Sequence, residues 1–242
     1  MATYFRTKEF EGASFVKASL KGATLRFSDV SDVTMRAVDV NGLDIDSHDL
    51  AFGTLTVNGV DVVPLVEAEL DRRFPGRELQ RARTPEGLRA GWEAVQDAWR
   101  ITVGDTPRDL VDAHVEDEWS LAQTLRHLVL ATDAWLRGAI LRVPQPFHEI
   151  GQIFTGAAES GFDMSVFRAD APPYEEVLAV RAERQGMVTD FLATVTAEVL
   201  DEERADPWGG HWRPTVGDCL RVILEEEWAH LRYIRRDLDL LR

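Results

Sequence analysis

The chain has 242 residues, of which 45% are hydrophobic, enough to bury a full core in one or two domains. Its net charge of −15 argues against nucleic acid or an anionic membrane surface as a partner, and no apolar run reaches the length of a membrane span. A single cysteine, Cys219, excludes internal disulfides. With no basic-then-apolar leader at the N-terminus, a cytoplasmic protein is expected.

The first quarter of the chain has a period of five. Every fifth residue from Phe5 is apolar: Phe5, Phe10, Phe15, Leu20, Leu25, Val30, Met35, Val40, Ile45, Leu50, Leu55 and Val60. Chance gives such a run roughly three times in ten thousand at this composition. Two places earlier in each repeat stand mostly small residues (Ala13, Ala18, Ala23, Ser28, Val33, Val38), a pattern lost at Leu43, His48 and Asn58. Neither helix nor strand periodicity explains a period of five. The segment resembles the pentapeptide-repeat family, which implies a short right-handed β-helix of about three coils with the central apolar residue inside. Residues 64–70 read as a helix capping that solenoid. The breaker cluster Phe74-Pro75-Gly76-Arg77 closes a first domain over residues 1–76.

Residues 77–242 read as helical. Thr84-Pro85-Glu86 starts a helix with the stripe Leu88, Trp92, Val95 and Trp99. Ser120 and Gln123 form a capping box for a second helix that runs through Trp135 and Ile140 to a stop near Pro144. Leu125, Leu128, Leu136 and Ala139 mark its core side, with His127 at the edge of that stripe. Residues 143–173 are too many for an ordinary bundle connection and predict a lid. In that lid His148 is either a fourth contact or substrate group, or a surface histidine. A third helix spans about 174–199, with Arg181 and Arg184 near its inward face. Thr215 caps a fourth helix reaching about Leu241, on which Cys219, Val222, Ile223, Glu226, His230, Ile234 and Asp237 share one face.

Glu226 and His230 stand in the middle of that mostly apolar face. A carboxylate there is costly unless it is paired or bound to a metal. A Glu and a His one turn apart offer two ligands to one ion, and His127 on the second helix is the best third donor. Three protein ligands leave a coordination position open, as in catalytic sites. The competing reading has the histidines as ordinary hydrogen-bonded residues and Glu225-Glu226-Glu227 as a solvated acidic face.

The pairing of Glu118-Trp119-Ser120 and Leu125-Arg126-His127-Leu128 with the late run Glu226-Glu227-Trp228-Ala229-His230-Leu231-Arg232-Tyr233 resembles the DinB/YfiT superfamily, over about residues 79–242. The resemblance implies a mainly α protein, an antiparallel four-helix bundle with a divalent metal at one end. Glu226 replaces the first histidine of the usual last-helix pair, as in the branch containing mycothiol-dependent maleylpyruvate isomerase. This implies zinc held by His127, Glu226 and His230, with mycothiol or a related thiol as second cofactor. It further implies a thiol-dependent transferase or isomerase, in which a metal-activated thiolate attacks a small electrophile and Arg181 binds a polar group of thiol or substrate. Those isomerases carry a further domain that supplies a substrate-binding arginine. This sequence ends with the fourth helix, so S-transfer to another electrophile is expected instead. The predominance of arginine over lysine suggests a GC-rich genome, which suits mycothiol.

Two other classes stay open. One is a non-catalytic metal- or ligand-binding module. The other is a DNA-mimicking repeat protein, for which the nine acidic and six basic side chains of residues 1–63 are a mild balance. The expected partners are a small thiol and an electrophile, with a homodimer through the repeats as a further option.

Overall fold

In the first 46 residues the period of five is written into the backbone. Gly12, Lys17, Gly22, Asp32, Ala37 and Gly42 all take left-handed φ values between 54° and 78°. Alternate members of this series sit in turns closed by local hydrogen bonds, in which Ala13, Ala23, Val33 and Leu43 donate their N–H groups to Phe10, Leu20, Val30 and Val40. The structure, a computed structural model, describes residues 10–26, 28–47, 50–153, 157 and 163–242. It divides into two compact units, Met1–Asp46 and Ser47–Arg242.

Among the described residues of the first unit, the apolar residue of each repeat is exposed. Leu20 is 62% and Leu25 64% exposed, and Phe15, Val30, Met35 and Val40 are also exposed. Among the described residues of this unit there is no strand, and the turn bonds above are its backbone hydrogen bonds. The expected β-helix with a filled interior is therefore corrected to a series of regularly spaced turns. The period of five sets where the chain bends, which is a local matter. Closing a coil requires pairing between residues far apart, and here that pairing is not made. Phe5 and His48 lie outside the described residues.

The second unit opens with a hairpin, β1 (Thr56–Val57) and β2 (Val60–Asp61), turned through Asn58 and Gly59, which both have positive φ. Helix α1 (Val63–Arg73) follows. It lies in the second unit, bound to the 3₁₀ turn Arg77–Arg81. Arg77 reaches Glu67 at 2.9 Å and Asp71 at 2.7 Å, and Arg81 pairs with the same two carboxylates.

Four long helices then build the core. Thr84 caps α2 (Pro85–Asp105), whose Leu88, Trp92, Val95 and Trp99 are buried as the stripe predicts. The capping box of Ser120 and Gln123 opens α3 (Leu121–Thr132), which runs on as a wider π-helical turn over Asp133–Ile140. α4 (Tyr174–Thr194) is followed by the single turn α5 (Ala197–Leu200). Thr215 and Asp218 form a second capping box that starts α6 (Val216–Leu241). None of these helices is long and apolar enough to cross a membrane, among the described residues.

Side-chain contacts fix the helix directions. Gln96 meets Gln185 and Arg89 meets Leu192, so α2 and α4 are antiparallel. Trp99 bonds to Glu227 and Arg235 to Thr102, so α2 and α6 are parallel. Val129 packs with Val180 and Asp133 bonds to Arg184, so α3 and α4 are also parallel. His127 against Glu226 and Trp135 against Trp212 make α3 and α6 antiparallel. The bundle therefore runs up-down-down-up rather than antiparallel throughout. This topology accounts for the long connection from α3 to α4. Two parallel neighbours can be joined only by a chain that travels back along the bundle, about 30 Å for a helix of this length.

Candidate metal centre

His127 lies on the second turn of α3, and Glu226 and His230 lie one turn apart near the middle of α6. Glu226 Oε2 is 3.2 Å from His230 Nε2 and 3.5 Å from His127 Nε2. One donor atom from each residue lies within 4.8 Å of the other two. Two ligands held tetrahedrally at zinc distances stand about 3.4 Å apart, so the set has the span of a metal site.

Protonation favours the same reading. His127 Nδ1 is 3.1 Å from the carbonyl oxygen of Gln152. A carbonyl only accepts, so Nδ1 carries the proton and the lone pair of neutral His127 sits on Nε2. That lone pair faces a carboxylate oxygen. Two acceptors in such contact need a cation or a proton between them. With a proton there, burial still works to raise the Glu226 carboxyl, but hydrogen bonds from His127 and His230 outweigh it and hold it below the usual carboxylate range. Burial pushes the His230 imidazole down against the pull of Glu226. A divalent ion in place of that proton would take the ionised carboxylate and the two deprotonated ring nitrogens as its donors.

Aromatic rings wall the centre. The Trp119 ring is 4.7 Å from the His127 ring and stacks on the His230 ring at 5.8 Å, while Tyr233 meets His230 edge-on. Just outside, Arg236 pairs with Glu118 at 3.4 Å.

A family model of the DinB superfamily matches residues 62–234. The chain belongs to the DinB superfamily. No curated protein and no solved structure matches it. The family match takes in α1 as well as the four long helices of this DinB chain, in keeping with the salt bridges that fix α1 to residues 77–81.

The other residues singled out from the sequence stand apart from the cluster of His127, Glu226 and His230. Arg181 is 3% exposed and is held in the bundle core by an ion pair with Glu227, so it is not placed to bind a substrate. Its Nε and Nη1 atoms are buried without hydrogen-bond partners. His148 shapes its own loop. Its N–H donates to Asp133 Oδ2 at 2.7 Å, and its Nδ1 accepts from Ile150 N at 3.3 Å. It lies near Asp133, six residues beyond His127 along α3, and is not a fourth member of the cluster. Cys219 is fully buried, and burial pushes its thiol up to about 12, which rules it out as a nucleophile. Of the segment expected to form a lid, residues 148–152 are bonded to α3, and 154–156 and 158–162 lie outside the described residues.

Two participants escaped sequence reasoning. Trp119 is visible in the motif, but a ring before a helix cap carries no sign of where it stacks. The Gln152 carbonyl has no sequence signature at all, because any residue supplies one.

Proposed function

We propose that this DinB protein is a metal-dependent S-transferase-like enzyme that uses a low-molecular-weight thiol of the mycothiol type against a small electrophile. The metal, zinc by preference, is held by His127, Glu226 and His230. The observation that supports this most strongly is the convergence of His127 Nε2 and His230 Nε2 on one oxygen of Glu226, with the His127 ring held from behind by the Gln152 carbonyl, a donor set with the span of a metal site.

A divalent ion bound there supplies a positive charge that lowers the pKa of a nearby thiol and makes thiolate available at neutral pH. The protein supplies the rest. The two imidazoles and the single carboxylate leave a net positive centre, which favours an anionic sulfur over water. Gln152 keeps His127 in one tautomer. Trp119 and Tyr233 shield one side of the histidines, which strengthens electrostatic interactions within the site. With the three protein donors on α3 and α6, coordination positions remain for an exogenous ligand.

The test is calorimetry of zinc-loaded and chelator-stripped protein titrated with mycothiol, alongside metal analysis of the protein as purified. Stoichiometric metal and thiol binding that disappears on stripping is the expected result. A protein that holds metal but no thiol is instead a non-catalytic metal-binding module. A protein that takes up no divalent metal overturns the proposal altogether.

A further inference from the structure

The loop segment at residues 148–152 is fixed to α3 and its π-helical continuation at three points. Asp133 is fully buried at the start of the π-helical turn, and its carboxylate accepts from Arg184 Nε at 2.6 Å, Arg137 Nη1 at 3.2 Å and His148 N at 2.7 Å. Arg126 Nε donates to the Ile150 carbonyl at 2.7 Å. Gln152 N donates back to the Arg126 carbonyl at 3.2 Å. The same segment then presents its Gln152 carbonyl to His127 Nδ1. Neither Arg126 nor Asp133 belongs to the donor cluster, yet both hold the peptide that orients one of its members.

We infer that Arg126 and Asp133 are positioning residues for the metal centre, acting through the Gln152 carbonyl on the orientation and tautomer of His127. The inference rests on the metal reading above. Partners of this kind typically change metal affinity 10–100-fold when removed. Arg126 allows a test by sign. It is a cation next to a metal ligand, so if its charge were all that mattered, removing it would tighten zinc binding. If it acts by holding the segment, removing it frees the imidazole and zinc binding weakens.

The experiment uses the full chain with Arg126→Met, Arg126→Lys and Asp133→Asn. Zinc affinity is read by chelator competition, and the His127 tautomer in metal-free protein is read by ¹⁵N NMR. Zinc affinity about 10–100-fold weaker in Arg126→Met is expected, with partial recovery in Arg126→Lys and a mixed Nδ1/Nε2 tautomer in the metal-free spectrum. Arg126 is only half-buried, so its variants keep the fold even where Asp133→Asn does not. Zinc affinity that is unchanged or tighter in Arg126→Met, with the Nδ1-protonated tautomer retained, overturns the inference. Failure of wild-type protein to bind zinc is a separate result that overturns the proposed function, and the tautomer measurement then decides the positioning claim alone.

Discussion

Glu226 and Glu227 are consecutive on α6, and their carboxylates face different helices. Glu226 turns toward the histidines, 3.5 Å from His127 Nε2 on α3, while Glu227 turns into the core and pairs with Arg181 on α4. The helical rotation of about 100° between neighbours separates a site for chemistry from a site for stability. Substitution at adjacent positions should therefore affect different observables.

At the metal centre, His127→Ala and His230→Ala are expected to abolish stoichiometric metal, and Glu226→Gln to weaken retention by at least about 100-fold. The metal-free melting temperature should change little, because the core is built from Leu88, Trp92, Trp99, Leu125 and Leu231 rather than from the donors. Metal analysis with thermal melts checks this. A collapse of the apo fold in His230→Ala would show that the cluster is a structural element instead.

At the neighbouring carboxylate, Glu227→Ala leaves the Arg181 cation buried without its counter-ion. That should cost about 3–5 kcal/mol in urea denaturation with zinc affinity little altered. Replacing both partners, Arg181→Met with Glu227→Leu, should recover most of the loss. If Arg181→Met instead weakened ligand binding at unchanged stability, the substrate-binding role expected from the sequence would be restored.

The bundle was legible because its signals are local and periodic. The capping boxes at Ser120 and Thr215 and the stripe from Leu88 to Trp99 each state an element, and all three candidate ligands fall where helical spacing puts them. Helix direction was less legible. Nothing in the pattern of α3 or α4 says that they run parallel, although the length of residues 141–173 was the available clue. Arg181 misled because an arginine near an inward face has the same signature whether it meets a ligand or a buried Glu227. The repeats misled for a related reason. A period of five specifies turns at Gly12, Gly22 and Gly42, but it does not specify whether the residues between them find an interior.

That last point predicts how the first unit responds to charge. With Leu20 exposed, Leu20→Asp should shift the unfolding free energy of the full chain by less than about 0.5 kcal/mol, as surface changes do. Far-UV circular dichroism and a urea titration suffice to check it. A large loss of structure in this variant would mean that Leu20 is inside a closed coil in solution.

Gly76 joins α1 to the turn that packs on α2, and two constraints meet there. Its φ is +91°, in the region that favours glycine, and an added Cβ would lie 2.6 Å from the Cβ of Ala94 on α2. Gly76→Ala should cost about 2–4 kcal/mol through strain and overpacking together. Because Arg77 and its partners Glu67 and Asp71 are anchored at the same junction, α1 should loosen first. Hydrogen exchange over residues 63–73 should rise before exchange in α6. Uniform exchange across the unit would show that α1 and the bundle unfold as one.

The buried thiol of Cys219 gives the stability a dependence on alkaline pH. Burial, helped by the neighbouring Asp218, raises the thiol from 9.0 to about 12 in the folded protein. The unfolded chain loses this proton near the ordinary value while the folded chain keeps it. The contribution to stability is therefore complete below pH 9 and is lost as pH rises toward 12, by at most about 1.4 kcal/mol per pH unit. Urea midpoints measured at pH 8 and pH 10.5 should fall more steeply for the wild type than for Cys219→Ala. Iodoacetamide should leave the folded protein unmodified at pH 8 and label it once urea has unfolded it. Stoichiometric labelling of the folded chain at pH 8 would mean that Cys219 is an accessible thiolate, and it would then have to be reconsidered as a nucleophile.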